Sequence, residues 1–400
     1  MNRSEFLQKS VILGAGFPLM AYLLQGCTKE GLFPSPLSGG FAGKVLVIGA
    51  GAAGMTAAYL LRQQGVEVEL LEASGDFGGR VKRDQSLADF PIDMGAEWIH
   101  TDPVVLQQMV NDDNVTVDTE TIVFDPETYQ IWKNEELKNR NWANNFYSEW
   151  KFKSTTWYGF FETYIVPSIQ DRMNFNQPVA KIDYAGEKVV ITTENGDLFE
   201  ADRVIVTVPI KVLQKEMITF SPALPTAKKE AIDSVFMGDG LKVFMRFSER
   251  FYPDMLFMDG IFKALSEDDK LFYNIAFGKD SEKHVMGLFT INSKAADYTA
   301  LESDQAILDA VLAELDDIFD GKATELFEAG IVQNWSKEPY IGGSYSTSFE
   351  GNYRETQDAL KVPLDGKVYF AGEAMSLNQA MVHGAADSGY EAVKRLLAEG

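Results

Sequence analysis

The sequence predicts an α/β protein in which a dinucleotide-binding, Rossmann-like domain is assembled from three separated segments and carries an inserted α+β domain. Three observations predict it. Near the start, "KVLVIGAGAAGMTAAYL" runs from Lys44 to Leu60 as a buried strand, a glycine-rich turn and an alanine-rich helix. A second continuous apolar run, Val204 to Val208, has the character of a strand buried in a parallel sheet. A third strand, in "GKVYFAGEA", leads into a Gly-Glu pair near the C-terminus. With no internal repeat visible, segments 43–101, 173–236 and 334–400 are expected to form the nucleotide domain, and 102–172 with 237–333 the inserted substrate domain.

Composition narrows the function. The chain has 400 residues, 46% of them hydrophobic, enough for one large core or two ordinary ones. Its net charge of −23 leaves no broad basic surface for nucleic acid. Surplus acid serves solubility, or steers cationic substrates toward the protein. The only cysteine is Cys27, so no intramolecular disulfide can form. His100, His284 and His383 lie far apart without ligand spacing, so no metal centre is expected.

Residues 1–27 begin with Arg3 and Lys9 and continue as a short apolar run from Val11 to Leu24, interrupted by Gly14, Gly16 and Pro18. That run suits the central region of a signal peptide better than a membrane span. Its end, "LLQGC", resembles a bacterial lipoprotein box, which implies lipidation of Cys27, and 28–42 is rich in Gly, Pro and Ser, as a tether is. The expectation is an exported, periplasmic or cell-envelope lipoprotein of a bacterium, touching the membrane only through its lipid. "NRSEFLQKS" resembles the twin-arginine export motif with Ser4 in place of the second arginine.

Along the chain, Lys44 to Ile48 is expected as a strand and Met55 to Gln64 as a helix stopped by Gly65. "VEVELLE" follows as a strand ending in Glu72, completing a βαβ unit. The aromatic-rich stretch from Asp102 to about Asp171 shows helical patches. Strand signals return in "PVAKIDYAGEKVVITTENGDLFEADRVIVTVP", with turns at Ala185-Gly186 and Asn195-Gly196. "TAKKEAIDSVF" is a helix, "GLKVFMRF" opens a mixed strand and helix region containing the acidic helix "SDQAILDAVLAELDDIF", and "AADSGYEAVKRLLAEG" closes the chain as an amphipathic helix.

The turn has chemical meaning. Gly49 permits a tight turn, Gly51 lets backbone amides approach a pyrophosphate at the helix N-terminus, and Gly54 lets helix and strand pack closely. Glu72, at the end of the next strand, can accept from ribose hydroxyls. This unit alone leaves NAD and FAD open. A second glycine turn, "ASGDFGGR", supplies Gly78, Gly79 and Arg80, and "DMGAEWIH" supplies Gly95 and Ala96, which suits a ligand longer than NAD.

Taken with "ADRVIVTVP", "FSPALPTAKKEAI", "GLKVFMRF", "EPYIGGSYS", "YFAGEA" and "VHGAADSGYEAV", these stretches resemble, in order, the landmarks of the flavin-containing amine oxidases, the family of monoamine and polyamine oxidases. The resemblance implies FAD contacts at Gly49, Gly51, Ala53, Gly54, Glu72, Ala73, Gly79 and Arg80. It places Val179 beside the adenine, Gly372 and Glu373 near the ribityl phosphate, and Gly95, Ala96, Glu97, Trp98, Trp335 and Val382 around the flavin. Lys242 matches a lysine that reaches flavin N5 through a water; from the residues alone, a solvent-facing lysine on an edge strand is the alternative. Ser344 stands where monoamine oxidases tether the flavin through cysteine, which implies non-covalent FAD. Tyr345 matches one wall of an aromatic cage whose opposite wall, a tyrosine in many relatives, is Met381. "GAEWIH" and "VHGA" are most similar to the polyamine oxidases, which implies that Trp98 and His100 line a substrate tunnel. Glu97 either faces a second ammonium of the substrate or is a structural carboxylate beside the flavin.

The implied reaction is hydride transfer from the α-carbon of a primary or secondary amine to flavin N5, with dioxygen as acceptor and hydrogen peroxide as product; Lys242 and Tyr345 are its candidate catalytic residues. The same scaffold serves L-amino acid oxidases and protoporphyrinogen or carotenoid desaturases. An amino acid substrate would need an arginine for its carboxylate, with Arg172 and Arg246 the candidates. A lipid-anchored flavoprotein acting as a non-catalytic binding or maturation partner is the remaining alternative.

Overall fold

The computed structural model describes residues 32–139, 149–258 and 270–399. Cys27 and the expected signal peptide lie outside them. Lys44–Ile48 becomes a strand because nearly all of it is buried and neighbours bond both of its edges. Arg203–Val206 pairs with it in parallel on one side and Glu67–Leu71 on the other. Val368–Phe370 and Met173–Asn174 complete this five-stranded parallel sheet, in the order 368–370, 203–206, 44–48, 67–71, 173–174. Strands distant in sequence thus meet side by side, and burial on both faces explains their continuous apolar runs.

The first helix, Ala52–Gln63, starts three residues earlier than the sequence pattern suggested. Gly49 takes a left-handed backbone, φ 103°, and its amide donates to the Leu71 carbonyl at 2.8 Å, so the turn closes tightly and the helix begins at once. A Cβ on Gly54 would sit 1.9 Å from the Gly49 carbonyl oxygen. The C-terminal helix, Val382–Ala398, packs along this first helix, where a Cβ on Gly389 would lie 2.5 Å from the Ala53 oxygen. Phe33, ahead of the first strand, stacks on Tyr390 of the C-terminal helix with ring centres 4.7 Å apart.

The hairpin expected at Asn195-Gly196 forms between Val189–Thr193 and Leu198–Ala201, with Gly196 at φ 86°. It belongs to a four-stranded sheet with Val179–Asp183 and Thr219–Ser221.

A seven-stranded sheet holds the rest, in the order Phe327–Asn334, Gly240–Phe247, His284–Ile291, Lys270–Asn274, Met255–Met258, Tyr129–Lys133 and Glu136–Asn139. The stretch expected to hold helical patches does form helices, Val104–Val110, Trp157–Tyr164 and Val166–Ile169, and it also contributes strands that the sequence reading missed. Tyr129–Lys133 pairs in parallel with Met255–Met258, and Thr121–Phe124 pairs with Glu149–Phe152. Helix Asp304–Phe319, capped by Ser303, whose side chain accepts from the Ala306 amide, covers one face of the large sheet. Ile307, Val311 and Leu315 pack there against Leu241, Val243, Met245 and Phe247. Strand alternation then turns Lys242 and Phe244 to the other face.

Candidate active site

That other face floors a cavity of about 720 Å³, which extends to the carboxyl ends of the parallel strands at Ile48, Leu71 and Thr207. Sheet register lays one row across its floor: Lys242 pairs with Phe289, Phe289 with Leu271, and Leu271 with Phe257. All four line the cavity. Lys242 is therefore on an interior strand and only 4% exposed, which overturns the edge-strand alternative.

At the glycine-loop end, Gly51 caps the first helix without any side chain bonding its free amides, and Gly51, Ala52 and Ala53 line the cavity. A second helix start opens on the same space: Met381 caps Val382–Ala398 without a side-chain bond, and both Met381 and Val382 line the cavity. Unbonded amides at a helix start suit an anion. The Glu72 carboxylate accepts from the Ala50 amide at 2.7 Å and from the Ser74 amide and hydroxyl at 2.9 and 2.8 Å. Of about four lone-pair directions, one is left for a ligand hydroxyl.

Arg80 Nη1 donates to the Ser344 carbonyl and to Glu373 Oε1, each at 3.0 Å. Glu373 also accepts from the Ser346 amide and hydroxyl and from the Ala380 amide, tying the second glycine turn, the Ser344–Ser346 segment and the approach to the last helix into one knot. Ser344 Oγ donates to the Gly238 carbonyl at 3.2 Å.

The turn Asp93 to Glu97 is held by three side chains. Lys242 Nζ donates to the carbonyls of Asp93 and Gly95, both at 3.1 Å, and to Glu97 Oε2 at 3.0 Å. Trp335 Nε1 donates to the Met94 carbonyl at 3.2 Å, and Tyr273 Oη to Glu97 Oε2 at 2.5 Å. A Cβ on Gly95 would come within 2.0 Å of the Arg80 oxygen, so only glycine fits. Burial opposes the charge on Glu97, yet Lys242, Lys151 and the Tyr273 hydroxyl outweigh it and hold its carboxyl below the usual range. Glu97 thus sits in the cavity lining already paired with Lys242 and bonded by Tyr273.

Trp98 packs at 5.0 Å on Phe124 and 5.5 Å on Tyr273, and His100 Nδ1 lies 3.3 Å from Glu149 Oε1. Burial first, and His100 second, push the His383 imidazole down to about 3, so it stays neutral.

All of the cofactor and substrate residues expected from the sequence except Gly54 line this one cavity: Gly49, Gly51, Ala53, Glu72, Ala73, Gly79, Arg80, Gly95, Ala96, Glu97, Trp98, His100, Val179, Lys242, Trp335, Tyr345, Gly372, Glu373, Met381 and Val382. Gly54 lies beneath the loop and serves packing. Sequence reasoning missed Phe257, Leu271 and Phe289, because a lone apolar strand does not reveal which face meets a cavity. It also missed Tyr273 and Lys151. Arg172 and Arg246 are off the cavity; Arg246 bonds Glu328 and the Leu87 carbonyl. Among the described residues Arg80 is the only arginine in the lining.

The family model for flavin-containing amine oxidoreductases matches residues 52–152 and 163–397. The chain belongs to this family. An amine oxidoreductase of this kind works with FAD, and the donor chemistry above fits that group: unbonded helix-start amides and Arg80 for a pyrophosphate, and an apolar lining for rings. Polyamine oxidase 3 of Oryza sativa subsp. japonica is 25% identical over 433 residues, covering 87% of this chain and 88% of that protein. Lysine-specific histone demethylase 2 of Homo sapiens is 24% identical, over 82% of this chain and 50% of its own length. Among solved structures, cyclohexylamine oxidase from Brevibacterium oxydans IH-35A superposes with TM-score 0.73 at 17% identity, covering 90% of this chain and 99% of that one. Putrescine oxidase bound to putrescine gives TM-score 0.72 at 16% identity with the same coverage. At such identities the superpositions establish the shared fold. In this amine oxidoreductase the glycine-loop amides, Arg80 and the apolar floor meet in one cavity.

Proposed function

We propose that this FAD-dependent enzyme oxidises a primary or secondary amine with an apolar body to the imine, with dioxygen reduced to hydrogen peroxide, and that water then converts the imine to an aldehyde and an amine. The row Lys242, Phe289, Leu271 and Phe257 carries the reading, since it offers an amine an apolar bed with one cation at its end. Such a wall favours the neutral amine over its ammonium form. FAD supplies the two-electron acceptor.

The chain's own residues bind and orient. Amides at Gly51 to Ala53 and the Arg80 guanidinium would hold the pyrophosphate, Glu72 a ribose hydroxyl, Val179 the adenine, and the Gly95 and Ala96 backbone with Val382 the flavin ring. Trp98, His100, Tyr345 and Met381 would line the amine's path. The cofactor is held without a covalent bond to cysteine: the one cysteine is Cys27, and Ser344 already donates its hydroxyl to a carbonyl. The absence of a second arginine from the described lining speaks against an amino acid carboxylate.

The test is a visible spectrum of the purified protein, followed by anaerobic mixing with benzylamine, tyramine, putrescine and spermidine. Bleaching of the flavin by the apolar amines, and peroxide on admitting air, is the expected result. A yellow protein that none of the four bleaches would overturn the amine assignment. The export reading is separate: a full-length protein should fractionate with bacterial membranes and Cys27→Ala should not, whereas equal behaviour would remove the lipid anchor.

A further inference from the structure

Lys242 has three N–H bonds, and three acceptors take them: the carbonyls of Asp93 and Gly95 and the carboxylate of Glu97. With Trp335 on the Met94 carbonyl, three consecutive carbonyls of this turn are bonded by two side chains. The amide side is fixed as well, Met94 donating to the Lys82 carbonyl at 2.8 Å and Ala96 to that of Arg80 at 3.1 Å. Toward the cavity the turn presents Gly95, Ala96 and Glu97, and a side chain on Gly95 has no room. Among the described residues Glu97 is the one carboxylate ion-paired with Lys242, and both are buried. We propose that Glu97 is a positioning residue: it locks Lys242 against the Asp93–Glu97 turn, so that the ammonium holds the backbone that faces the flavin. This inference rests on the reading of the cavity as the FAD and amine site.

The groups around Glu97 are arranged to keep it charged. Tyr273, one row behind Lys242 on the same sheet face, donates to it. Lys151, 1% exposed, donates to the Ile275 carbonyl at 3.1 Å, lies 5.0 Å from the centre of the Phe124 ring and 5.9 Å from that of Trp98, and adds positive potential at Glu97. Lys279, bonded to the Phe152 carbonyl, adds to the field, while Asp93, which accepts from the Trp157 amide, opposes it. Truncating one member of such a group leaves the others with an unbalanced buried charge. The residues should therefore act as a unit.

The experiment is a double-mutant cycle on the FAD-loaded protein with Glu97→Gln, Lys242→Met and both together. It reads FAD affinity by titrating the deflavinated protein, the visible flavin spectrum, and the separate rates of anaerobic reduction and reoxidation. Wild-type colour and amine bleaching, measured first, separate failure of the functional reading from failure of this one. Each single variant is expected to weaken FAD at least about fivefold and to alter the spectrum in the same way, with the pair no worse than the poorer single. In Lys242→Met, Glu97 loses its nearest counter-charge and takes up a proton more readily, so FAD affinity becomes dependent on pH; in the double variant that dependence vanishes. The proposal is overturned if Glu97→Gln matches wild type in affinity and spectrum while Lys242→Met slows reoxidation alone, or if the two effects add. Should Glu97→Gln not fold, Tyr273→Phe takes its place: a smaller change of the same sign supports the proposal, and wild-type affinity and spectrum overturn it.

Discussion

Lys228 shows what a single buried ammonium does to this protein. It is 4% exposed, donates to the Leu360 carbonyl at 2.7 Å and lies 4.1 Å from the centre of the Phe370 ring. Burial first, and the like charge of Arg395 second, push it down to about 7. Because the folded value lies below the unfolded one, the unfolded chain binds more protons between about pH 7 and 10.5, so this group's contribution to stability rises with pH across that window. Replacing Lys228 with Met removes the term. Whatever the variant's absolute stability, its advantage over wild type should shrink by roughly 3 kcal/mol from about pH 6.5 to about pH 10. Thermal melts at both pH values check this, and parallel curves would refute the burial argument. Gly54 makes a steric case. Gly54→Ala puts a methyl 1.9 Å from the Gly49 oxygen and 2.7 Å from Thr207 Oγ1 in a loop with no slack, so the purified variant should carry little or no FAD. Full FAD occupancy would show that the loop can yield.

At the scale of elements, the first and last helices meet through small residues, and both begin at the cavity. Gly389→Ala sets a methyl 2.5 Å from the Ala53 oxygen, a backbone atom that cannot rotate away. The helices must part, at a cost of roughly 1–3 kcal/mol, and FAD content should fall with the melting temperature. Loss of melting temperature at full FAD content would mean that the two helix starts move independently of the packing between them. The glycine loop, Glu72 and the last helix were legible in the sequence because each is local: periodicity and spacing specify them within a few residues. The strands of the aromatic-rich stretch were not, because one partner, Met255–Met258, is remote and the local hairpin lacks the usual turn signal. Tyr129–Lys133 and Glu136–Asn139 join through Asn134 and Glu135, both at positive φ, where a glutamate stands in place of the glycine that usually announces such a hairpin. The face of "GLKVFMRF" was ambiguous for a related reason. Only helix Asp304–Phe319, from a later segment, determines which alternate residues are covered and leaves Lys242 to the cavity.

The whole molecule joins two opposing electrostatic demands. Its net charge of −23 is expected to attract ammonium ions during approach, while the apolar floor at Phe289, Leu271 and Phe257 favours an amine that has lost its proton. Attraction acts during approach and desolvation acts at arrival, so salt should separate them. Surface charges are screened beyond about 10 Å at 0.1 M salt, whereas the buried pair of Glu97 and Lys242 is not. For a cationic amine such as benzylamine, kcat/KM should therefore fall roughly two- to tenfold between about 0.02 and 0.5 M sodium chloride, while kcat and the reduction rate at saturating amine stay level. The pH dependence follows the same division: raising pH toward the amine's own pKa increases the neutral fraction and weakens the salt effect together. A kcat/KM indifferent to salt at neutral pH would mean that the neutral amine is captured directly from solution and that the acidic surface serves solubility alone.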